Sequence, residues 1–381
     1  MSKRFIMGRR FILGGTGTSQ EGMPWSTGRF YWQMERWMVE HLGFEMRNVL
    51  DAQELMAGAD PLPEDTEIIW LHIPLHRYNV KGLTAYLRSC PNARVILIPG
   101  GDRRMWNLER HYLGPFLERV AVILDCQKES WPKVGTFAQA WPLQAKKHVY
   151  FPDCINPEEW YNLEYNETPI NKCILSGRIG GRYELRNFIL GEMATDEELQ
   201  SCVDVLKHPN FTSTEFSNIQ LKKKQTGRIS RVDTLALSAF ESLKDLTCIN
   251  QDGSAMVKQV YGELLHEYLG GLAIVGNTFN KVVISKHIEV VAVGSLMISE
   301  HLKDLDRMGF IPNYHYLEVN RQNVVKMIKD VCANPEKFSD IRRQGKEFVW
   351  KHHKLSDRLE WMKQIVDDIM SENIIEEKIY E

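Results

Sequence analysis

The residues best suited to chemistry lie between positions 285 and 300, where a basic and an acidic side chain share one face of a predicted helix. Lys286 and Glu289 stand three residues apart, a helical spacing. Gly294 ends this helix, and an apolar strand follows. A carboxylate there can accept hydrogen bonds from both hydroxyls of a ribose, and an ammonium one turn earlier can bind a phosphate. An ordinary ion pair on a helix surface fits the same spacing.

A second candidate site is the glycine-rich turn between residues 175 and 186. A strand ending near Ser176 runs into Gly177, Gly180 and Gly181 and then into a helix that begins at Tyr183. Backbone N–H groups at a helix start and guanidinium groups together suit a pyrophosphate. A plain turn with solvated arginines is the alternative, but glycines and arginines at such a turn favour an anion site. The arginines follow one another at four-residue spacing: Arg178, Arg182 and Arg186.

Residues 285–300 resemble the donor-binding motif of glycosyltransferases with the GT-B fold, specifically the group-1 and spore-coat (CgeB-like) relatives. The resemblance covers about residues 170–365. It implies that Glu289 binds the ribose of a nucleoside-diphosphate sugar and that Lys286 contacts its phosphates. The turn from Ser176 to Arg186, with Tyr183, is similar to the diphosphate-binding segment of viral and bacterial members. The matching positions of the donor motif are Ser285, Lys286, Glu289, Ala292 and Gly294.

One position departs from the pattern of these relatives. Retaining group-1 enzymes carry a second glutamate eight residues before the ribose glutamate, and Lys281 occupies that position here. The sequence therefore leaves open whether the reaction retains or inverts the anomeric configuration.

The N-terminal half offers further candidates, each with an alternative interpretation. The loop after the first strand, with Gly15, Thr16 and Gly17, either reaches the donor phosphates or only turns the chain. It lacks the Gly-Lys-Ser/Thr of a P-loop. Asp102 follows the strand at 94–98 and could deprotonate an acceptor hydroxyl, similar to an Asp of the phage DNA β-glucosyltransferase, or it could cap its loop. His72 is a second catalytic candidate, with a packed histidine as the alternative.

Alternating strands and helices predict two α/β domains with parallel sheets. The resemblance implies a GT-B-like arrangement of two Rossmann-like domains, with a cleft between them and a C-terminal helix that crosses back to the first. We expect an acceptor domain at 1–165, a donor domain at 166–349 and that helix at 350–381. The predicted strands are 10–14, 67–71, 94–98, 120–124 as the last of the first series, 172–176, 246–250, 272–276 and 296–299; the predicted helices include 27–42, 183–193, 197–206, 259–269 and 285–293.

Composition restricts the class of protein. The 381 residues carry a net charge of −3 with 43% hydrophobic residues, which is typical of globular domains rather than of basic DNA-binding proteins. Seven scattered cysteines without a Cys-x-x-Cys pair predict reduced thiols, and so a host or bacterial cytoplasm, rather than disulfides or a zinc site. No apolar run reaches the roughly 20 residues of a membrane helix, so we expect a soluble protein.

These patterns predict a glycosyltransferase that moves a sugar from a nucleoside-diphosphate sugar, with UDP favoured, to a hydroxyl of a glycan or glycoprotein. No tightly bound cofactor is expected, and no visible motif requires a metal ion. A DNA hydroxymethyl-base glucosyltransferase of the phage type is the second interpretation. It is favoured by the spacing of Arg182, Arg186 and Lys286 and by the basic run Lys222 to Lys224, whereas the acidic pI disfavours DNA. An inactive module that only binds a nucleotide sugar is the third.

Overall fold

The structure is a computed structural model, and the chain divides into two compact units. The structure describes residues 9–13, 27–47, 62–73, 87–99, 118–126, 148–156, 163–177, 183–207, 248–249, 258–275 and 281–380. One unit comprises residues 1–152 with 356–378, and the other comprises residues 153–355 with 379–381. Each has its own sheet.

The first unit contains a six-stranded parallel sheet with the spatial order β2-β1-β3-β4-β5-β6. Its central strands carry continuous apolar runs, such as Ile68 to Leu71, whose residues are fully buried. Such runs are typical of parallel sheets that are covered on both faces. The first helix, α1 (Thr27–Leu42), buries Met34 and Met38. The strands are β1 (Arg9–Leu13), β2 (Phe44–Arg47), β3 (Thr66–Ile73), β4 (Arg94–Pro99), β5 (Val120–Asp125) and β6 (His148–Tyr150).

The predictions for this unit are confirmed for four strands and for α1, but the strand series was predicted to end too early. The strand β6 pairs in parallel with β5, placing His148 opposite Ile123. The strand β2 was also missed, because only Gly43 separates it from α1. Both missed strands have four residues or fewer, too short to show a period.

The second unit contains another parallel sheet, with the order β9-β8-β7-β10-β11-β12. This is the strand order 3-2-1-4-5-6 of the Rossmann fold, so its topological switch point lies between β7 and β10. Its strands are β7 (Ile170–Gly177), β8 (Val203–Lys207), β9 (Cys248–Ile249), β10 (Tyr268–Leu272), β11 (Leu296–Ser299) and β12 (Leu317–Glu318). Its helices are α2 (Glu184–Met193), α3 (Glu197–Cys202), α4 (Lys258–Glu267), α5 (Ser285–Ala292), α6 (Lys303–Arg307), α7 (Val324–Ala333) and α8 (Ser339–His352).

Two predicted elements of this unit are wrong. The helix expected over 197–206 stops at Cys202, and Val203 to Lys207 form β8, paired in parallel with β7. The strand expected over 272–276 is instead Tyr268–Leu272, which follows α4 without an intervening loop residue. In both places the apolar spacing fits a helix, while pairing with a distant strand decides the outcome.

The C-terminal helix α9 (Leu355–Met370) belongs to the first unit from Ser356 onward. Its Trp361 ring stacks on Phe151 with ring centroids 4.9 Å apart. Nε of Arg358 donates a hydrogen bond to the carbonyl of Pro152 at 3.1 Å. The predicted continuous helix from residue 350 is wrong, because α8 ends at His352 and His353 leaves helical geometry. No helix within the described ranges is both long and apolar enough to cross a membrane.

Candidate nucleotide-sugar site

Two cationic side chains meet at the switch point of the second sheet. The strand β7 ends at Gly177, whose φ of +110° is a conformation that favours glycine. A Cβ added there would lie 3.1 Å from Nη1 of Arg186 and 3.1 Å from Nζ of Lys286. The absence of a side chain therefore lets both cations approach the carboxyl end of β7. Ligands of open α/β sheets bind at this edge.

Arg186 reaches the site from the first turn of α2. Its side chain is buried, and Nη2 donates a hydrogen bond to the carbonyl of Ile274 at 2.6 Å. The guanidinium carbon lies 4.6 Å from the centre of the Tyr183 ring, a cation–π contact. These contacts hold the guanidinium across the β7–β10 switch point.

Lys286 reaches the same point from the first turn of α5. Its Nζ donates a hydrogen bond to the carbonyl of Ser176 at 2.5 Å. Burial lowers the pKa of Lys286 well below its usual value, the charge of Arg186 lowers it further, and Glu289 opposes the change. An anion beside both cations would offset their repulsion and favour the charged lysine. The arrangement therefore suits a phosphate.

Close packing holds α5 at the sheet. A Cβ added to Gly271 of β10 would lie 2.7 Å from Cγ2 of Val290, so only glycine allows this approach. At the start of the helix, the backbone N–H of Ile284 donates to Nδ1 of His287 at 3.1 Å. Burial lowers the pKa of His287 to about 4, so the ring is neutral near pH 7. These contacts orient the helix that carries Lys286.

Of the remaining residues of the predicted donor motif, all but Gly294 lie on α5, which ends at Ala292. Glu289 is half-buried and lies one turn after Lys286, as the spacing predicts. Its negative charge raises the pKa of Lys286 and so favours the charged ammonium. The hydroxyl of Ser285 lies 3.4 Å from Oδ2 of buried Asp153. Asp153 was not identified from the sequence, because more than 130 residues separate it from Ser285.

The structure adds one ion pair that the sequence did not suggest. Glu300 directly follows β11, at the carboxyl edge of the sheet, and Oε1 lies 3.7 Å from Nζ of Lys281. Burial raises the pKa of Glu300, and the positive charge of Lys281 opposes this rise. The position of Glu300 after a predicted strand was the one signal that could have identified it.

Several predicted site residues lie outside the described residues. These are Gly15, Thr16, Gly17, Asp102, Arg178 and Arg182. His72 is described only by its backbone, as the second-last residue of β3, paired with Ile98 of β4. The structure thus brings together Ser176, Tyr183, Arg186, Lys286 and Glu289 of the predicted set.

Within the part of the chain that the structure describes, no group of three His, Cys, Asp or Glu side chains could hold a metal ion. An Asp-x-Asp sequence does occur at residues 304–306. Asp304 is buried, and Asp306 lies 3.3 Å from Nε2 of His301. Arg186 and Lys286 at the switch point are groups that can bind phosphate.

Comparison with known proteins relates this geometry to a family. Residues 255–366, which include Lys286 and Glu289, match the family model described as glycosyl transferase-like. No curated protein matches the sequence.

Solved structures with little sequence identity share the fold over nearly the whole chain. Sucrose-phosphate synthase from Thermosynechococcus elongatus is 12% identical with a TM-score of 0.60, and the match covers 96% of this chain and 100% of that chain. An α-glucosyltransferase solved with UDP and a mismatched 13-mer DNA is 14% identical with a TM-score of 0.57, covering 95% and 100%. HepE from Anabaena, solved with UDP-glucose, is 7% identical with a TM-score of 0.57, covering 95% and 100%.

The two parallel α/β sheets and the similar solved structures show a GT-B-type fold, and with the family match they confirm the resemblance stated from the sequence. With its glycosyl transferase-like domain, the chain is a glycosyltransferase.

Proposed function

We propose that this glycosyltransferase moves a sugar from a nucleoside-diphosphate sugar, with UDP the favoured nucleotide, to a hydroxyl of a glycan or glycoprotein. The observation that carries the proposal is the convergence of Arg186 and Lys286 on Gly177 at the switch point. UDP is favoured because the similar structures of HepE and of the α-glucosyltransferase contain UDP or UDP-glucose.

The two cations act on the leaving group. In the reaction the acceptor oxygen forms a bond to the anomeric carbon, and the bond from that carbon to the diphosphate oxygen breaks. The departing diphosphate takes the electron pair, and the acceptor proton passes to a base. Charge on the diphosphate grows as the bond breaks, so Arg186 and Lys286 stabilise the transition state more than the ground state. Arg178 and Arg182 would add to this positive charge.

Other residues would bind the rest of the donor and the acceptor. Glu289 accepts hydrogen bonds from the ribose hydroxyls, because its carboxylate lies one helical turn from the phosphate-binding Lys286. Asp102 serves as the base if the reaction inverts the anomeric centre, and His72 is the second candidate. The segment Gly15 to Gly17 follows β1, and its backbone N–H groups would contact donor phosphates.

The compartment and the acceptor are parts of the same proposal. Six cysteines among the described residues are reduced thiols, which supports a reducing compartment such as the cytoplasm. A DNA acceptor is the second candidate, favoured by the DNA bound to the similar α-glucosyltransferase. The basic run that would contact DNA, Lys222 to Lys224, lies outside the described residues.

Calorimetric titration of UDP into Lys286→Met tests the site. UDP carries the charge that develops on the leaving group, so loss of one charge-assisted hydrogen bond should raise its Kd by about tenfold. Lys172→Met is the matched control. Lys172 lies near the other end of β7 and pairs with Asp204 at 2.9 Å, so UDP affinity should not change. Equal affinity in wild type and Lys286→Met would defeat the assignment.

A further inference from the structure

The ion pair between Glu300 and Lys281 lies beside the proposed phosphate site. The carbonyl of Ile274, just after β10, accepts a hydrogen bond from Arg186. Glu300 just follows β11, and the parallel register of β10 and β11 places it level with Ile274. Because neighbouring strands are about 5 Å apart, the guanidinium and the carboxylate lie about one to two strand spacings, roughly 5–10 Å, from each other. The distance is short enough for one ligand to contact both.

The charge of Glu300 restricts which part of a donor it can contact. A carboxylate repels a diphosphate but accepts hydrogen bonds from hydroxyl groups. The side chain is 17% exposed and therefore reaches the surface of the edge without being free to turn away. The ammonium of Lys281 balances its charge, while Glu184, the first residue of α2, acts on it with a like charge. A carboxylate in this position therefore suits a ligand that is rich in hydroxyl groups.

The order of the groups along the chain indicates which hydroxyls are involved. A nucleoside-diphosphate sugar is linear, with the ribose on one side of the diphosphate and the transferred sugar on the other. Glu289, proposed for the ribose, lies one turn C-terminal to Lys286, whereas Lys281 precedes α5 and pairs with Glu300. The ion pair and Glu289 therefore flank the phosphate-binding lysine along the chain.

We propose that the Glu300 carboxylate, paired with Lys281, binds hydroxyls of the transferred sugar and so determines which sugar the enzyme accepts. This inference rests on the proposed function. Glu300 acts on binding of the sugar moiety, and the nucleotide is bound by other residues.

Calorimetry on the full chain tests this assignment with paired ligands. UDP is titrated alongside UDP-glucose, UDP-galactose and UDP-N-acetylglucosamine, and the sugar nucleotide that wild type binds best is then titrated into Glu300→Gln. Its Kd should rise about tenfold, since one hydrogen bond to a charged group is weakened. The Kd for UDP should stay within about twofold. Glu318→Gln is the control, because Glu318 also ends a strand of this sheet but lies 3.5 Å from His301.

Each other outcome has a distinct meaning. Absence of nucleotide binding by wild type would defeat the proposed function itself. If wild type binds but Glu300→Gln loses UDP and sugar nucleotide equally, or loses neither, then Glu300 does not select the sugar. Should Glu300→Gln not fold, Lys281→Met replaces it, with a severalfold loss expected for the sugar nucleotide only. An equal loss for both ligands in that variant would overturn the inference as well.

Discussion

Gly177→Ala is the substitution to which the anion site should be most sensitive. Gly177 ends β7 with φ +110°, outside the allowed regions of an L residue. An alanine methyl would stand 3.1 Å from Nη1 of Arg186 and 3.1 Å from Nζ of Lys286, closer than an ordinary contact of about 3.5–4.0 Å. The variant therefore combines backbone strain with displacement of both cations.

These two effects can be given magnitudes. Backbone strain at positive φ should lower the free energy of unfolding by about 1–3 kcal/mol. Each cation must move by a few tenths of an ångström, which weakens its contact with a phosphate. A loss of about 1.4 kcal/mol, half or more of one charge-assisted hydrogen bond, corresponds to a tenfold rise in the Kd for UDP.

Gly43→Ala separates strain from displacement. Gly43 also has positive φ, +69°, but a Cβ added there meets nothing within 4 Å. It should lower the free energy of unfolding by about 1–2 kcal/mol and leave UDP affinity unchanged. Urea unfolding and calorimetric titration measure both quantities for each variant. If Gly177→Ala binds UDP as tightly as Gly43→Ala does, the cations do not bind the phosphates at this point.

The remaining predictions concern the ribose and the base. Glu289→Ala should weaken UDP binding by about 1.5–3 kcal/mol, the usual loss for hydrogen bonds to a charged group, and unchanged calorimetric affinity in a folded variant would exclude the ribose role. Asp102→Asn should leave donor binding intact and lower transfer by about 100-fold if the reaction inverts; near-normal turnover, or a product that retains the anomeric configuration, would remove Asp102 as the base.

The sequence predicted elements whose signal is local. Continuous apolar runs identified β3 and β4, and the spacing of Lys286, Glu289 and Gly294 identified α5. The predicted donor motif is a local pattern, because its residues lie on α5 and in the turn between α5 and β11. Lys286 of this motif and Arg186 of the glycine-rich segment meet at Gly177. The two sequence patterns could suggest this meeting, but only the structure shows it.

Predictions failed where contacts between distant residues decide the structure. Leu199, Cys202, Val203 and Leu206 have helical spacing, yet Val203 starts a strand because β7 pairs with it. His353 interrupts the expected C-terminal helix, and its Nε2 lies 3.0 Å from the carbonyl of Met308.

The ion pair that carries the further inference was missed for the same reason. Lys281 and Glu300 are far apart in sequence, and they meet only because β10 and β11 are neighbours in the sheet. A local sequence pattern cannot predict this contact between Lys281 and Glu300.

The most direct test of the central claim is the steady-state rate of nucleotide release from the donor by Lys286→Met. If Lys286 stabilises the leaving diphosphate, kcat should fall by about 100-fold or more, and the donor KM should rise by less than about tenfold. The interaction would then be stronger in the transition state than in the bound donor. A wild-type kcat in Lys286→Met, with or without a raised KM, would contradict the account.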